Sequence, residues 1–343
     1  MIVLAGDVGG TKTALAIADV GPRTSTFLRI RRYRSREWPG LEAILENFLE
    51  PERSRPRAAA FGVAGPVRER SVKVTRLPWS VDERALAACL RPAPVALVND
   101  FVAAALGLSR LPARSSAPLL SGTPDPRGTI GLIGAGTGLG QAALVPTSTG
   151  PLVLPSEGGH ADFGPRDERE DRLVAYLRRR YGRVSRDRVL SGEGLGDLYD
   201  FLALERRRPT PAALARAFAQ GDRAAAISRF ALSGRDRVCR EALSLFASIY
   251  GSEAANVAIQ YQATGGVFIA GGIAPKILPA LRLTVFRESF RAKPPMEDFL
   301  AKVPVRVVLD PRLPLLGAAG EAYRIAIETT RRRSKTRLRR RSL

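Results

Sequence analysis

The sequence is poor in the residues that make disulfide frameworks and zinc sites. Its 343 residues include two cysteines, Cys89 and Cys239, so a disulfide framework and a cysteine-rich zinc module are excluded and only a single bridge stays open. Histidine occurs once, at His160, which rules out the two-histidine zinc hydrolase motif by arithmetic. No apolar run approaches the roughly 20 residues that a membrane helix needs. The apolar stretch from Ile2 to Ala5 is far shorter than a signal-peptide core and runs directly into Asp7, so the cytoplasm is the expected compartment. Lysine is scarce as well: six residues, against 48 arginines.

What is present describes an ordinary globular chain, with 45% hydrophobic and 25% charged residues. The length suits two domains. The net charge of +21 raises nucleic acid or an anionic surface as a partner. Yet the arginines spread over every segment, as a compositional bias would, and eight of the units fall within residues 331–343, a block with no acid. Such a like-charge block is expected to be a disordered basic tail, either a solvated appendage or an adhesive for nucleic acid or anionic lipid.

Periodicity predicts strands over Ile2 to Gly6, Thr13 to Val20 and Ser25 to Tyr33, then a helix over Leu41 to Leu49. Further strands are expected at Ala58 to Val63, Val72 to Thr75 and Val95 to Val98. Ser80 with Glu83 reads as a capping box opening a helix through Leu90. The second half repeats the theme: strands at Thr129 to Ile133 and Gln141 to Val145, mostly helices from Glu168 to Gln262, strands at Val267 to Ala270 and Val305 to Leu309, and a last helix from Leu315 to Glu328.

Two glycine turns occupy matching places in the halves: Gly6-Asp7-Val8-Gly9-Gly10-Thr11 and Gly134-Ala135-Gly136-Thr137-Gly138. Each alone reads as a tight turn, but together they suit a polyphosphate, because glycine lets backbone N–H groups approach an anion and threonine adds a hydroxyl. Neither has P-loop or dinucleotide-fingerprint spacing, which disfavours a dehydrogenase. Asp7 inside a phosphate turn would repel the ligand unless a cation intervenes, which argues for Mg²⁺ held through water; the alternative is a carboxylate that caps local N–H groups. Asn99 and Asp100 end an apolar strand, where they would either bind adjacent hydroxyls and accept a proton or simply cap the following helix. In Glu157-Gly158-Gly159-His160, the lone histidine stands three positions from a carboxylate, in a loop suited to a polyol or as a structural histidine.

These motifs, with Gly62-Val63-Ala64-Gly65-Pro66-Val67, Val189-Leu190-Ser191-Gly192 and Phe268-Ile269-Ala270-Gly271-Gly272-Ile273, resemble the bacterial glucokinases of the hexokinase and actin-like ATPase superfamily, in the group without the zinc-binding cysteine cluster. They occur in the family's order across about residues 1–328. The resemblance implies an α/β protein of two ribonuclease H-like domains around a cleft, with a small domain at 1–110 plus 315–330, a large one at 111–314 and the tail at 331–343. It implies transfer of the γ-phosphoryl group of ATP to the 6-hydroxyl of glucose, with Mg²⁺ as cofactor and a homodimer as the assembly. Gly6, Asp7, Val8, Gly9, Gly10 and Thr11, with Gly136, Thr137 and Gly138, would hold the phosphates, and Gly271 and Gly272 would lie near the adenosine. Asp100 would be the base. Asn99, Asp100, Glu157, His160 and Asp187 would bind the sugar, hydrogen bonds being what tells hexose epimers apart.

Two positions depart from the family's pattern. Asp187 stands where similar glucokinases have Glu, one methylene longer, and Arg76 stands where they usually have Asn. For the first, the loop would move inward, a water would bridge the gap, Glu193 would compensate or the hexose preference would differ; the alternative is a surface Asp among arginines. A kinase for another hexose or an amino sugar therefore stays open, as does a non-enzymatic sugar-responsive regulator that relies on the basic tail.

Overall fold

The computed structural model describes residues 1–50 and 55–339. The chain forms two compact units, Met1–Ala113 with Arg312–Leu343, and Arg114–Pro311.

In the first unit, β1 (Ile2–Val8) and β2 (Lys12–Val20) make an antiparallel hairpin and β3 (Ser25–Arg34) pairs with β2. Helix α1 (Leu41–Leu49) follows, and β4 (Ala59–Val63) lies parallel to β1. The short strands β5 (Ser71–Lys73) and β6 (Ser80–Asp82) form a separate ribbon. That ribbon runs from Ser80, which pairs with Lys73, through Asp82, which pairs with Ser71, so the next helix starts after Asp82 and not at Ser80 as the sequence pattern predicts. Asp82 caps α2 (Glu83–Cys89) instead, accepting the N–H groups of Arg84 and Ala85 at 2.8 and 3.0 Å. Then come β7 (Val95–Asn99), parallel to β4, and α3 (Asp100–Leu108). The sheet order is β3-β2-β1-β4-β7. Strand β4 is buried throughout, as its unbroken apolar run requires of a central parallel strand.

The second unit holds β8 (Ser116–Leu120), β9 (Ile130–Ala135), β10 (Leu139–Val145) and β11 (Leu152–Ser156). Helices α4 (Glu168–Tyr181), α5 (Arg186–Val189), α6 (Gly192–Glu205), α7 (Ala212–Ala219), α8 (Arg223–Leu232) and α9 (Arg237–Gln260) precede β12 (Gly266–Ala270). Helices α10 (Leu278–Leu281), α11 (Thr284–Arg291) and α12 (Glu297–Lys302) lead to β13 (Val305–Val308). The sheet order is β11-β10-β9-β12-β13-β8. An antiparallel β9–β10–β11 meander continued by parallel β12 and β13 repeats the β1–β2–β3–β4–β7 pattern, so the two glycine turns occupy equivalent hairpins. The edge strands β8 and β11 lack a clear period-2 signature and were not expected.

The chain then returns to the first unit with α13 (Leu313–Arg339), whose alanine-rich face at Ala318, Ala319, Ala322 and Ala326 packs with Val3, Ala5, Ala16 and Ala60 of the sheet. The helix thus runs as far as Arg339, into the segment 331–343 expected to be a disordered tail. Arginine is a good helix former and no Gly or Pro interrupts the stretch, so an established helix propagates into it. The rest of that tail lies outside the described residues. Among the described residues, no helix is long and apolar enough to cross a membrane.

Candidate functional site

In the first unit, the carboxyl ends of β1, β4 and β7 lie side by side, Asp7 opposite Gly62 and Val63 opposite Asn99. A Cβ on Gly62 would fall 2.7 Å from the Ala103 methyl and 3.5 Å from the Asp100 Cα. Only a glycine in β4 lets the start of α3 pack this closely, and that packing brings Asp100 near Asp7. Asp7 is partly buried, and its carboxyl is raised to about 7, first by desolvation and then by the charge of Asp100. Asp100 opens α3, with Oδ1 accepting the Phe101 N–H at 2.9 Å, a favourable place for a negative charge.

Asn99 takes the capping role that the sequence left open. Its Oδ1 accepts the N–H groups of Phe101 and Val102 at 2.9 and 3.2 Å, and its Nδ2 donates to the Gly65 carbonyl at 3.1 Å. The amide thereby links the end of β7 to the loop after β4 and leaves one N–H hydrogen for another acceptor.

The β1–β2 turn is clamped from two sides. Gly9 donates to the Lys12 carbonyl at 3.0 Å, while its own carbonyl accepts from the Ser35 hydroxyl at 2.7 Å. Ser35 is fully buried, also within 3.0 Å of the Thr13 hydroxyl. On the other side, a Cβ on Gly10 would meet the Thr75 carbonyl at 2.5 Å. Arg76, the next residue, has φ +66° and lines a depression of about 630 Å³ together with Arg68 and Lys73. Ser35 was missed by sequence reasoning, because a serine among arginines at a strand end carries no signal.

In the second unit, the β9–β10 turn closes with Gly136 donating to Gly138 at 2.8 Å, and both glycines face open space where a Cβ would stand. The Gly136 carbonyl accepts from Gly192 at the start of α6. Gly271, at φ +84°, presses on the same turn: a Cβ there would lie 2.4 Å from the Ala135 carbonyl. Gly272 beside it is open. These residues therefore come together in one place.

Glu157 precedes and His160 ends a short 3-10 turn, Gly158–His160, and both side chains are exposed, at 69% and 65%. His160 Nδ1 lies 3.4 Å from Asp187 Oδ2, and its Nε2 lies 3.9 Å from Glu157 Oε2. The Ser185 hydroxyl donates to the other Asp187 oxygen. Asp187 thus stands beside the histidine. Glu193 is engaged elsewhere, by Tyr181 at 3.3 Å and Arg188 at 3.4 Å.

A family model of the glucokinases matches residues 4–324. The chain belongs to the glucokinase family. It is 39% identical over 339 residues to the glucokinase of Nostoc punctiforme, covering 94% of this chain and 99% of that one. Among solved structures, it is similar to a glucokinase from an Antarctic psychrotroph, with 29% identity, a TM-score of 0.82 and coverage of 94% and 99%. A more distant likeness in fold is the glucokinase of the ROK family from Streptomyces griseus, solved with glucose and AMPPNP, at 21% identity and a TM-score of 0.65, covering 94% of this chain and all of that one. The fold is that of the two-domain actin-like ATPases.

The raised Asp7 carboxyl has a consequence for stability in the absence of ligands. An acid whose value is about 7 in the folded chain and 3.8 when free holds its proton more tightly in the folded state. Its contribution is fully present below about pH 4 and is lost as pH rises to about 7. Asp7→Asn is expected to melt progressively higher than wild type as pH goes from 5 to 8, read by differential scanning calorimetry at each pH. A difference that stays flat across that range would show that the carboxyl titrates normally.

Proposed function

We propose that Asp100 is the general base in the transfer of the γ-phosphoryl group of ATP to the 6-hydroxyl of glucose. Family membership makes the protein a glucokinase-type sugar kinase. The observation that supports Asp100 is its position at the first turn of α3, at the carboxyl end of the sheet, next to the partly buried Asp7. The Asp100 carboxylate takes the proton from the 6-hydroxyl as that oxygen attacks the γ-phosphorus. The bond from phosphorus to the bridging oxygen breaks, ADP leaves, and the proton passes to solvent.

Gly6 through Thr11 and Gly136 through Gly138 are read as phosphate contacts, with Gly271 and Gly272 beside the adenosine. Asn99 and Asp100 on the first unit, and Glu157, His160 and Asp187 on the second, are read as sugar contacts. The Streptomyces griseus structure with glucose and AMPPNP favours this pair of substrates. Among the described residues, no cluster of three acids, histidines or cysteines would cage a cation alone. The single Asp7 carboxylate fits Mg²⁺ instead, which is commonly held by one or two carboxylates, waters and substrate phosphates. When bound, that ion neutralises phosphate charge. We also assign the protein to the cytoplasm, as a homodimer.

The test is a coupled ADP-release assay over a panel of hexoses and amino sugars with Mg²⁺ and ATP, alongside sedimentation for the assembly. Glucose is expected to have the highest kcat/KM. Because Asp187 is shorter than its family counterpart, a different hexose ranking first would support the runner-up, a kinase for another sugar. Absence of turnover with every sugar would sink the assignment.

A further inference from the structure

We propose that Glu253 is a positioning residue that sets the sugar-side loops of the second unit, aiming His160 and Asp187 through Gln141 and Arg186. The inference rests on reading Glu157, His160 and Asp187 as sugar contacts, and it adds a residue that none of the motifs includes.

The three sugar-side groups sit on two short segments, the Glu157–His160 turn and the start of α5. Backbone bonds tie the segments to each other: Phe163 donates to Val184 at 3.0 Å and Arg186 donates to Ala161 at 2.9 Å. Val189 and Leu190 anchor the end of α5 in the core and Gly159 packs against the Leu139 carbonyl; a polar cross-link adds a third tie to the body of the unit. Glu253, in the middle of α9, accepts on Oε1 from Gln141 Nε2 at 2.6 Å and from Arg186 Nη1 at 2.8 Å. Its Oε2 accepts from Asn256 at 2.7 Å. One carboxylate therefore joins β10, α5 and α9.

Each arm ends against a sugar-side residue. Arg186 is the neighbour of Asp187. Gln141 lies directly behind the 3-10 turn, where a Cβ on Gly158 would fall 2.1 Å from its Oε1. The carboxylate dictates this orientation, because it can only accept: Nε2 must turn to Glu253, which leaves Oε1 facing Gly158 with no hydrogen-bond partner among the described residues. Gln141 and Glu253 are buried, at 1% and 5% exposure. Burying a charge and leaving an orphan acceptor both cost stability, and well-packed apolar side chains would fill the space more cheaply. The arrangement makes sense as a device that holds two exposed loops in one geometry, since a site built on hydrogen bonds to hydroxyls tolerates little displacement.

The chain's single histidine makes this directly readable, because a protein labelled with ¹⁵N-histidine gives signals from His160 alone. In full-length Glu253→Gln, the His160 ring signals are expected to move or broaden relative to wild type. KM for glucose should rise about tenfold, in line with the cost of misplacing a substrate-orienting group. KM for ATP should stay within about twofold, and the preference for glucose over its epimers should narrow. Glu241→Gln serves as a control for simple destabilisation. Glu241 lies on the same helix, α9, paired with Arg206 at 3.1 Å and Arg237 at 3.0 Å, and neither partner belongs to these loops. It should lower Tm yet leave His160 and both KM values unchanged. Wild-type His160 signals in Glu253→Gln, or the same displacement in Glu241→Gln, would overturn the proposal. Should Glu253→Gln fail to fold, Gln141→Leu removes one arm and is expected to displace the same signals; unchanged signals there overturn it equally. The spectrum is read without turnover, so a protein that phosphorylates no glucose refutes the proposed reaction while the positioning role is still decided.

Discussion

Asp100→Asn is expected to lower kcat for glucose by about 10²–10⁴-fold, the usual contribution of a positioned general base. The substitution keeps the shape and keeps an oxygen able to accept the Phe101 N–H at the head of α3, so the helix start and the Gly62 contact should survive. It removes only the capacity to take a proton. Glucose affinity measured by calorimetry should therefore change little, and Tm should be nearly that of wild type. The split between a collapsed kcat and a retained Kd identifies an interaction made in the transition state alone. A kcat within a few-fold of wild type would show that another group, or no base at all, carries the proton.

Gly317→Val is expected to have the largest effect on stability. At this point α13 crosses α3 backbone against backbone. A Cβ on Gly317 would lie 1.7 Å from the Ala103 carbonyl oxygen and 2.8 Å from the Gly107 nitrogen. Gly107 faces the same crossing, with the Leu313 carbonyl oxygen 2.2 Å from where its Cβ would stand. Main-chain atoms cannot rotate aside as a side chain would, so the helices must separate, and α13 would lose its alanine face against the sheet. A loss of about 3 kcal/mol, at the upper end for overpacking, is expected, with Tm falling by about 6–12 °C. Gly320, one turn further along α13, is the internal comparison. Its Cβ would meet the Arg110 side chain, 2.4 Å from Nε, and not backbone; Arg110 is held by the Gly21 and Thr24 carbonyls and the Ser25 hydroxyl, so Gly320→Ala should lower Tm, but by clearly less than Gly317→Val. Equal melting temperatures for Gly317→Val and wild type would mean that the crossing is looser than its backbone contacts imply.

Much of the candidate site was legible because its residues lie in contiguous motifs. The glycine turns, the Asn99-Asp100 pair and the Glu157–His160 loop each combine unusual residues within a few positions, and the second sheet repeats the strand pattern around the first turn. The resemblance to glucokinases rested on the order of these motifs, and the family match over residues 4–324 agrees with it. Ser35 was not legible, since its clamp on Gly9 depends on a buried position next to the turn. Glu253 offered a faint signal, an acid within the apolar run of α9 from Ile249 to Ala258, but nothing in the sequence named its partners. The choice between Asp82 and Ser80 as a cap turned on how far β6 runs before α2 begins, which is set by pairing with β5, a separate segment.

By itself, the sequence determined the chemistry on offer: glycine turns suited to phosphate, acids suited to hydroxyls, a single histidine and no cysteine cluster. Local spacing carries such information because each motif is short and its residues are neighbours in the chain. It also exposed Asp187 as a shorter acid. Only the tertiary structure decided what each group is free to do. It spends most of the Asn99 amide on a helix cap and the Gly65 carbonyl, raises Asp7 by burial beside Asp100, and sets Asp187 against His160. It also carries α13 past 331, where charge counting predicted disorder. In each case the outcome depends on desolvation, pairing or packing among residues far apart in sequence, which no local pattern encodes.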